Sequence, residues 1–134
     1  MINCGRSEVE QIVRWCIKKW NKSKFVKNEP KIRVYKSCGN TYNIKAEYIS
    51  DKNTITVYLG AIKDYEELCG IIIHEYWHYL LDPNEFDNIY YDMINRGYNN
   101  VNFYNFHPHE ILCKQKESKY KIICLDYLKN KFNF

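Results

Sequence analysis

The run IIIHEYWHYLL, Ile71 to Leu81, sets two histidines and a glutamate inside an otherwise apolar stretch. Hydrophobicity on nearly every side describes a buried helix. Burying an unpaired imidazole or carboxylate costs several kcal/mol, so His74, Glu75 and His78 need a partner. On a helix, positions i and i+4 lie about 40° apart around the axis. His74 and His78 therefore project from one face, one turn apart. Two imidazoles so placed suit a single tetrahedral zinc at about 2.0–2.1 Å. Glu75 stands beside that position, where it can take a proton from a zinc-bound water whose pKa the metal lowers to about 7. This is the HExxH arrangement of zinc-dependent peptidases.

The rest of the chain fits one zinc-peptidase-like domain spanning residues 1–134. No apolar run approaches the roughly 18 residues that a membrane helix needs. The opening MINCGRSEVEQIVRW lacks a basic segment followed by a long apolar one, so no signal peptide is predicted. A soluble, cytoplasmic monomer is expected, with no membrane partner. The net charge is +4, and the densest basic cluster is KKWNKSKFVK, Lys18 to Lys27. It reads as a solvated helix end and loop, where cations complement the helix dipole, and not as a nucleic-acid surface. Six cysteines show no CxxC spacing, which argues against a zinc ribbon or a thioredoxin-like site. They are expected to be small core residues, with disulfides plausible only in a hyperthermophile.

Local patterns predict the elements. Ser7 and Glu10 form a capping box ahead of Val9, Ile12, Val13, Cys16, Ile17 and Trp20, giving a first helix over about 8–21. Three β-like runs follow at Ile32–Tyr35, Tyr42–Ile49 and Thr54–Leu59, the last two joined by the turn Ser50-Asp51-Lys52-Asn53. Asp64 and Glu67 open a second helix over about 65–81, and Asp82-Pro83-Asn84 stops it. A third helix is expected at 84–95, closed by Gly97, then a polar and aromatic loop over Asn99–Asn105. A last helix begins at Pro108, breaks near Ser118 and ends near Lys129. The expected class is α+β: a small antiparallel sheet with a hairpin, packed on an N-terminal helix, the HExxH helix and C-terminal helices.

A third metal ligand has to come from elsewhere. The pattern HExxHxxGxxH is excluded, because Leu81 stands in place of the glycine and Asn84 in place of the third histidine. The remaining polar cluster is Phe106-His107-Pro108-His109-Glu110. Glu110 sits where the last helix becomes rigid, and the small Cys113 one turn on would let that helix approach the HExxH helix closely. His107 and His109 stay open as alternatives.

Three features, the hairpin Tyr42–Leu59, HEYWH on its helix, and Glu110-Ile-Leu-Cys113, resemble the gluzincins. In that group of zinc peptidases the third ligand is a glutamate on a later helix. The short chain is similar to the minigluzincins, single-domain archaeal members. Cys113 replaces the usual alanine, and Lys114 the usual acid or amide. The resemblance implies a zinc site of His74, His78 and Glu110, with Glu75 as base, and peptide or protein substrates. It also implies a zymogen whose C-terminal segment, about 120–134, plugs the cleft. The alternative for that segment is that Tyr127, Leu128 and Phe132 pack on the core.

For hydrolysis, an extended peptide is expected to add as a strand along the hairpin edge. Tyr90, Tyr91, His107 and His109 are candidate oxyanion donors. Two rival readings are a non-enzymatic zinc-stabilised module, which needs a fourth protein ligand, and a dedicated regulator-cleaving protease.

Overall fold

Helix α1 covers Arg6–Trp20. Its apolar stripe, Val9, Ile12, Val13 and Cys16, is buried as its spacing predicts. A computed structural model describes residues 3–38 and 44–134. The capping lies earlier than predicted. Gly5 is the N-cap, and its N–H donates to Glu8 Oε2 at 3.3 Å, so Ser7 and Glu10 fall inside the helix. Arg6 pairs with Glu10 at 2.7 Å, which explains why that glutamate is not free to cap.

Three strands, β1 (Lys31–Tyr35), β2 (Ala46–Ile49) and β3 (Thr54–Tyr58), form one sheet in the order β1-β3-β2 among the described residues. The sheet is mixed and not antiparallel as expected. β2 and β3 form the predicted antiparallel hairpin, but β1 runs parallel to β3, with Ile32 opposite Ile55 and Val34 opposite Val57. Central β3 is buried on both faces over Thr54–Val57, which is why its sequence is continuously β-branched and does not alternate. The first part of the predicted second strand, Tyr42 and Asn43, lies outside the described residues.

Asn53 fixes the hairpin turn. It adopts φ 46°, a left-handed conformation that asparagine tolerates better than most residues. Its Nδ2 donates to the carbonyls of Asn28 and Glu29, and its Oδ1 accepts from Tyr48 Oη at 2.8 Å. The turn is thus tied both to its own strand and to the segment entering β1.

Helix α2 spans Tyr65–Leu80, with Asp64 capping the Glu67 N–H at 2.8 Å. The Glu67 carboxylate does not close the reciprocal box; it accepts from Lys63 N–H and pairs with Lys45 ahead of β2. Helix α3 is Pro83–Asn95, N-capped by Asp82. Gly97 follows it at φ +91°. The predicted loop Asn99–Asn105 is instead mostly helix: α4 covers Asn100–Phe106, with Asn99 accepting from Asn102 N–H. Phe103 holds it down, buried edge-on to Phe86 and Tyr90. Helix α5 runs from Pro108 to Phe132 with no break at Ser118. Ser118 lies on the exposed face, so nothing competes with the backbone ladder there.

The core lies between α1, the sheet, α2 and α5. Along α5 the inward residues are Glu110, Cys113, Glu117, Tyr120, Cys124 and Leu128, a stripe of threes and fours. One end of that stripe is polar and the other apolar. At the apolar end, within 120–134, Cys124, Leu125 and Leu128 are buried in the core and Phe134 packs on Tyr65 at the start of α2, while Tyr127 and Phe132 are exposed. Four of the cysteines (Cys16, Cys69, Cys113 and Cys124) are buried, Cys4 is half-buried and Cys38 exposed, and all six are free thiols. Among the described residues, no helix is long and apolar enough to cross a membrane.

Candidate metal centre

α2 and α5 pack antiparallel, so the polar end of the α5 stripe meets the last two turns of α2. Gly70 makes the close approach feasible. A β-carbon there would stand 3.1 Å from Glu117 Cγ, closer than side chains ordinarily pack. Cys113, wholly buried between the helices, is the other small residue at the crossing.

The approach brings Glu110 to both histidines. Its Oε1 lies 2.6 Å from His78 Nε2 and its Oε2 3.1 Å from His74 Nε2. The other ring nitrogen of His74, Nδ1, meets Glu117 Oε1 at 3.0 Å. Each nitrogen of His74 thus faces a carboxylate, and only the imidazolium can donate to both. Burial lowers the pKa of His74, but the hydrogen bonds to Glu110 and Glu117 outweigh it and carry the group up to about 10. Burial also works against ionised Glu110, and its bonds to His74 and His78 hold it well below the usual carboxylate range. The ring of His78 is further oriented edge-on against Phe86, 5.8 Å away.

Glu75 is held on the neighbouring side. Its Oε1 accepts from the Tyr48 N–H of β2 at 3.0 Å. Burial pushes its carboxyl up to about 7, against the lowering pull of the two histidines. A carboxyl poised near neutrality suits a proton carrier. This link to β2 was not predicted; the alternation of the hairpin would have shown only that residues 46 and 48 share an edge.

The two other predicted histidines have different duties. His107 is fully buried at the N-cap of α5. Its Nδ1 accepts from His109 N–H at 3.0 Å, so its Nε2–H donates to the Phe86 carbonyl at 3.1 Å. Both ring nitrogens have partners within the protein, and neither faces His74 or His78. His109 is buried with Nε2 2.7 Å from Glu85 Oε1, and it reaches the cleft wall. Neither replaces Glu110 beside His74 and His78.

The site opens into a cleft of about 850 Å³. Edge strand β2 forms one wall, with Ala46, Glu47 and Tyr48; Tyr90, Tyr91 and Tyr104 stand among the residues lining it from α3 and α4. Tyr104 was missed in the sequence because α4 read as a loop. Burial and the carboxylates of Glu110 and Glu75 raise its pKa, so it stays a neutral O–H donor. Among the described residues, none beyond Glu117 lines the cleft.

The donor set suits a divalent cation. Two Nε2 atoms converge on one carboxylate, and a cation between them would take over the role that the His74 proton plays in balancing Glu110. A ring nitrogen of His74, one of His78 and Cys113 Sγ also lie within 4.8 Å of one another. Imidazole, carboxylate and thiolate together are a borderline-soft set of the kind zinc accepts. From sequence alone, the sulfur of Cys113 counts only as a small side chain at the helix crossing. No family model, curated protein or solved structure matches the chain.

Proposed function

We propose that this chain is a zinc-dependent peptide hydrolase similar to the minigluzincins, with His74, His78 and Glu110 as ligands and Glu75 as general base. The observation that carries the reading is the single Glu110 carboxylate received by the Nε2 atoms of both HExxH histidines, at 2.6 and 3.1 Å. Glu117 holds the Nδ1–H of His74, fixing the tautomer that leaves Nε2 free for a metal.

Zinc held there supplies Lewis acidity toward a substrate carbonyl and acidifies water. The remaining work falls to the chain. Glu75 takes the proton of the attacking water and returns it to the leaving amine nitrogen. The Tyr48 N–H keeps the carboxylate aimed while it does so. On β2, residues alternate in the direction of their backbone groups. Tyr48 points outward to Glu75, so Ala46, two residues back, presents its amide and carbonyl to the same side. An extended peptide can pair there and lie across the cleft. Tyr104, Tyr90, Tyr91 and His109 are the available donors to the developing oxyanion; His107 is not among them.

The test is hydrolysis of a peptide library by the zinc-loaded chain and by Glu75→Gln. The variant should keep zinc and lose hydrolysis by about 10²–10⁴-fold. Undiminished cleavage would remove Glu75 as the base. One observation favours a second reading, a non-enzymatic zinc-stabilised module: Cys113 is a fourth candidate donor.

A further inference from the structure

We infer that Cys113 is a ligand of the same cation, its sulfur completing a four-donor shell with His74, His78 and Glu110 and gating the site. The inference rests on the metal-centre reading above and goes beyond its three ligands.

Smallness alone would be met by alanine or serine, and the position is more than a spacer. Cys113 follows Glu110 by three residues on α5, so the two side chains share one face. The sulfur is wholly buried and lies within 4.8 Å of a ring nitrogen of each HExxH histidine. Around one tetrahedral zinc, with bonds of about 2.0–2.1 Å to nitrogen and 2.3 Å to sulfur, such donors stand roughly 3.3–3.6 Å apart. The 4.8 Å bound on the three separations is wider than that, so the inferred shell includes a closing movement of these side chains onto the cation. The placement comes from α5 itself, anchored at its far end by Cys124 and Leu128 in the core.

The chemical consequence is a closed shell. Four protein donors leave no position for water, as in structural zinc sites, whereas hydrolysis needs an open one. The resting chain would therefore hold most of its cation in a saturated state, with hydrolysis limited to the fraction in which the sulfur has left. On binding, the Cys113 S–H bond breaks, the proton passes to solvent, and the sulfur–metal bond forms. Opening reverses this: the sulfur takes a proton and leaves, and His74, His78 and Glu110 retain the cation. The cleft beside the site gives water and peptide a route in.

Cobalt(II) reports the bond directly, because a thiolate ligand gives a charge-transfer band in the near ultraviolet. The full chain, Cys113→Ala and Cys113→Ser are loaded with one cobalt each and their spectra compared, with circular dichroism confirming the fold. The wild type should show the band. Both variants should lack it while still binding one cobalt, and should hydrolyse peptide at least about tenfold faster in the zinc form. A wild type that binds one cobalt without the band overturns the inference and leaves the three-ligand reading standing. A band that survives in both variants overturns it too, since the sulfur would come from another cysteine. Loss of the band with no gain in hydrolysis overturns the gate and supports a purely structural site. A chain that binds no cobalt overturns both the inference and the reading beneath it.

Discussion

Gly70 lies directly beneath Glu117: a β-carbon on residue 70 would sit 3.1 Å from Glu117 Cγ and 3.5 Å from its Oε2. That absence of a side chain lets α5 bring Glu117 to His74 Nδ1, one turn further along α2. Gly70→Ala should push Glu117 off His74, and Glu117→Gln should weaken the same bond without touching the backbone. Each should reduce metal affinity by about 10–100-fold, the usual cost of losing a partner behind a ligand. Competition with a chromophoric chelator reads this. Equal affinity in both variants would mean that Glu117 does not orient His74.

Glu110 is the proposed ligand from outside the HExxH helix. Glu110→Ala should abolish stoichiometric zinc. It should also lower the pKa of His74 from about 10, because the first of its two stabilising hydrogen bonds is lost while burial remains. Histidine resonances followed through a pH titration of the metal-free variant give the second value. An unchanged His74 titration would contradict the pairing.

The pH dependence has a definite sign. The pKa of His74 is raised from 6.5 to about 10 in the folded chain. Its contribution to metal-free stability is therefore full below 6.5 and lost as pH rises through about 10. The pKa of Glu110 is depressed from 4.5, so its contribution is present above 4.5 and lost as the medium is made strongly acidic. Near pH 7 the metal-free His74 is protonated, and a cation must displace that proton. Calorimetry in two buffers of different ionisation enthalpy should show at least about one proton released per metal at pH 7. Uptake without proton release would refute the His74 assignment.

The end of α5 tests the core against the plug. Truncation after Lys119 deletes buried Cys124, Leu125 and Leu128. The shortened chain should not fold, and Leu128→Ala alone should cost about 2–5 kcal/mol. Denaturant unfolding measures both. A folded, newly active truncated chain would instead support the plug.

Much of this was legible because it depends on local pattern. The spacing of His74 and His78, the cap at Asp64, the stop at Pro83 and the asparagine turn at Asn53 are properties of short segments. Glu110 was legible through its place just inside a helix opened by Pro108. What could not be read depends on contacts far apart in sequence. The parallel pairing of β1 with β3 joins residues more than twenty positions apart, Ile32 with Ile55 and Val34 with Val57, and neither strand's own composition carries its direction. The α4 segment mixes asparagines with aromatic residues over only seven positions, and Phe86 and Tyr90 hold it through Phe103. Glu117 reaches His74 across 43 positions, beside a glycine at residue 70 where a β-carbon would crowd it. His107 looked like a ligand by type, but its two nitrogens cap α5 and bind Phe86.

We propose that His74, His78 and Glu110 grip one divalent cation. Equilibrium dialysis of the purified chain against zinc, followed by elemental analysis, tests it most directly beside His74→Ala, His78→Ala and Glu110→Ala. One tightly held zinc per wild-type chain and none in each variant is the predicted result. A wild type that retains no zinc, or variants that retain it fully, would contradict the account.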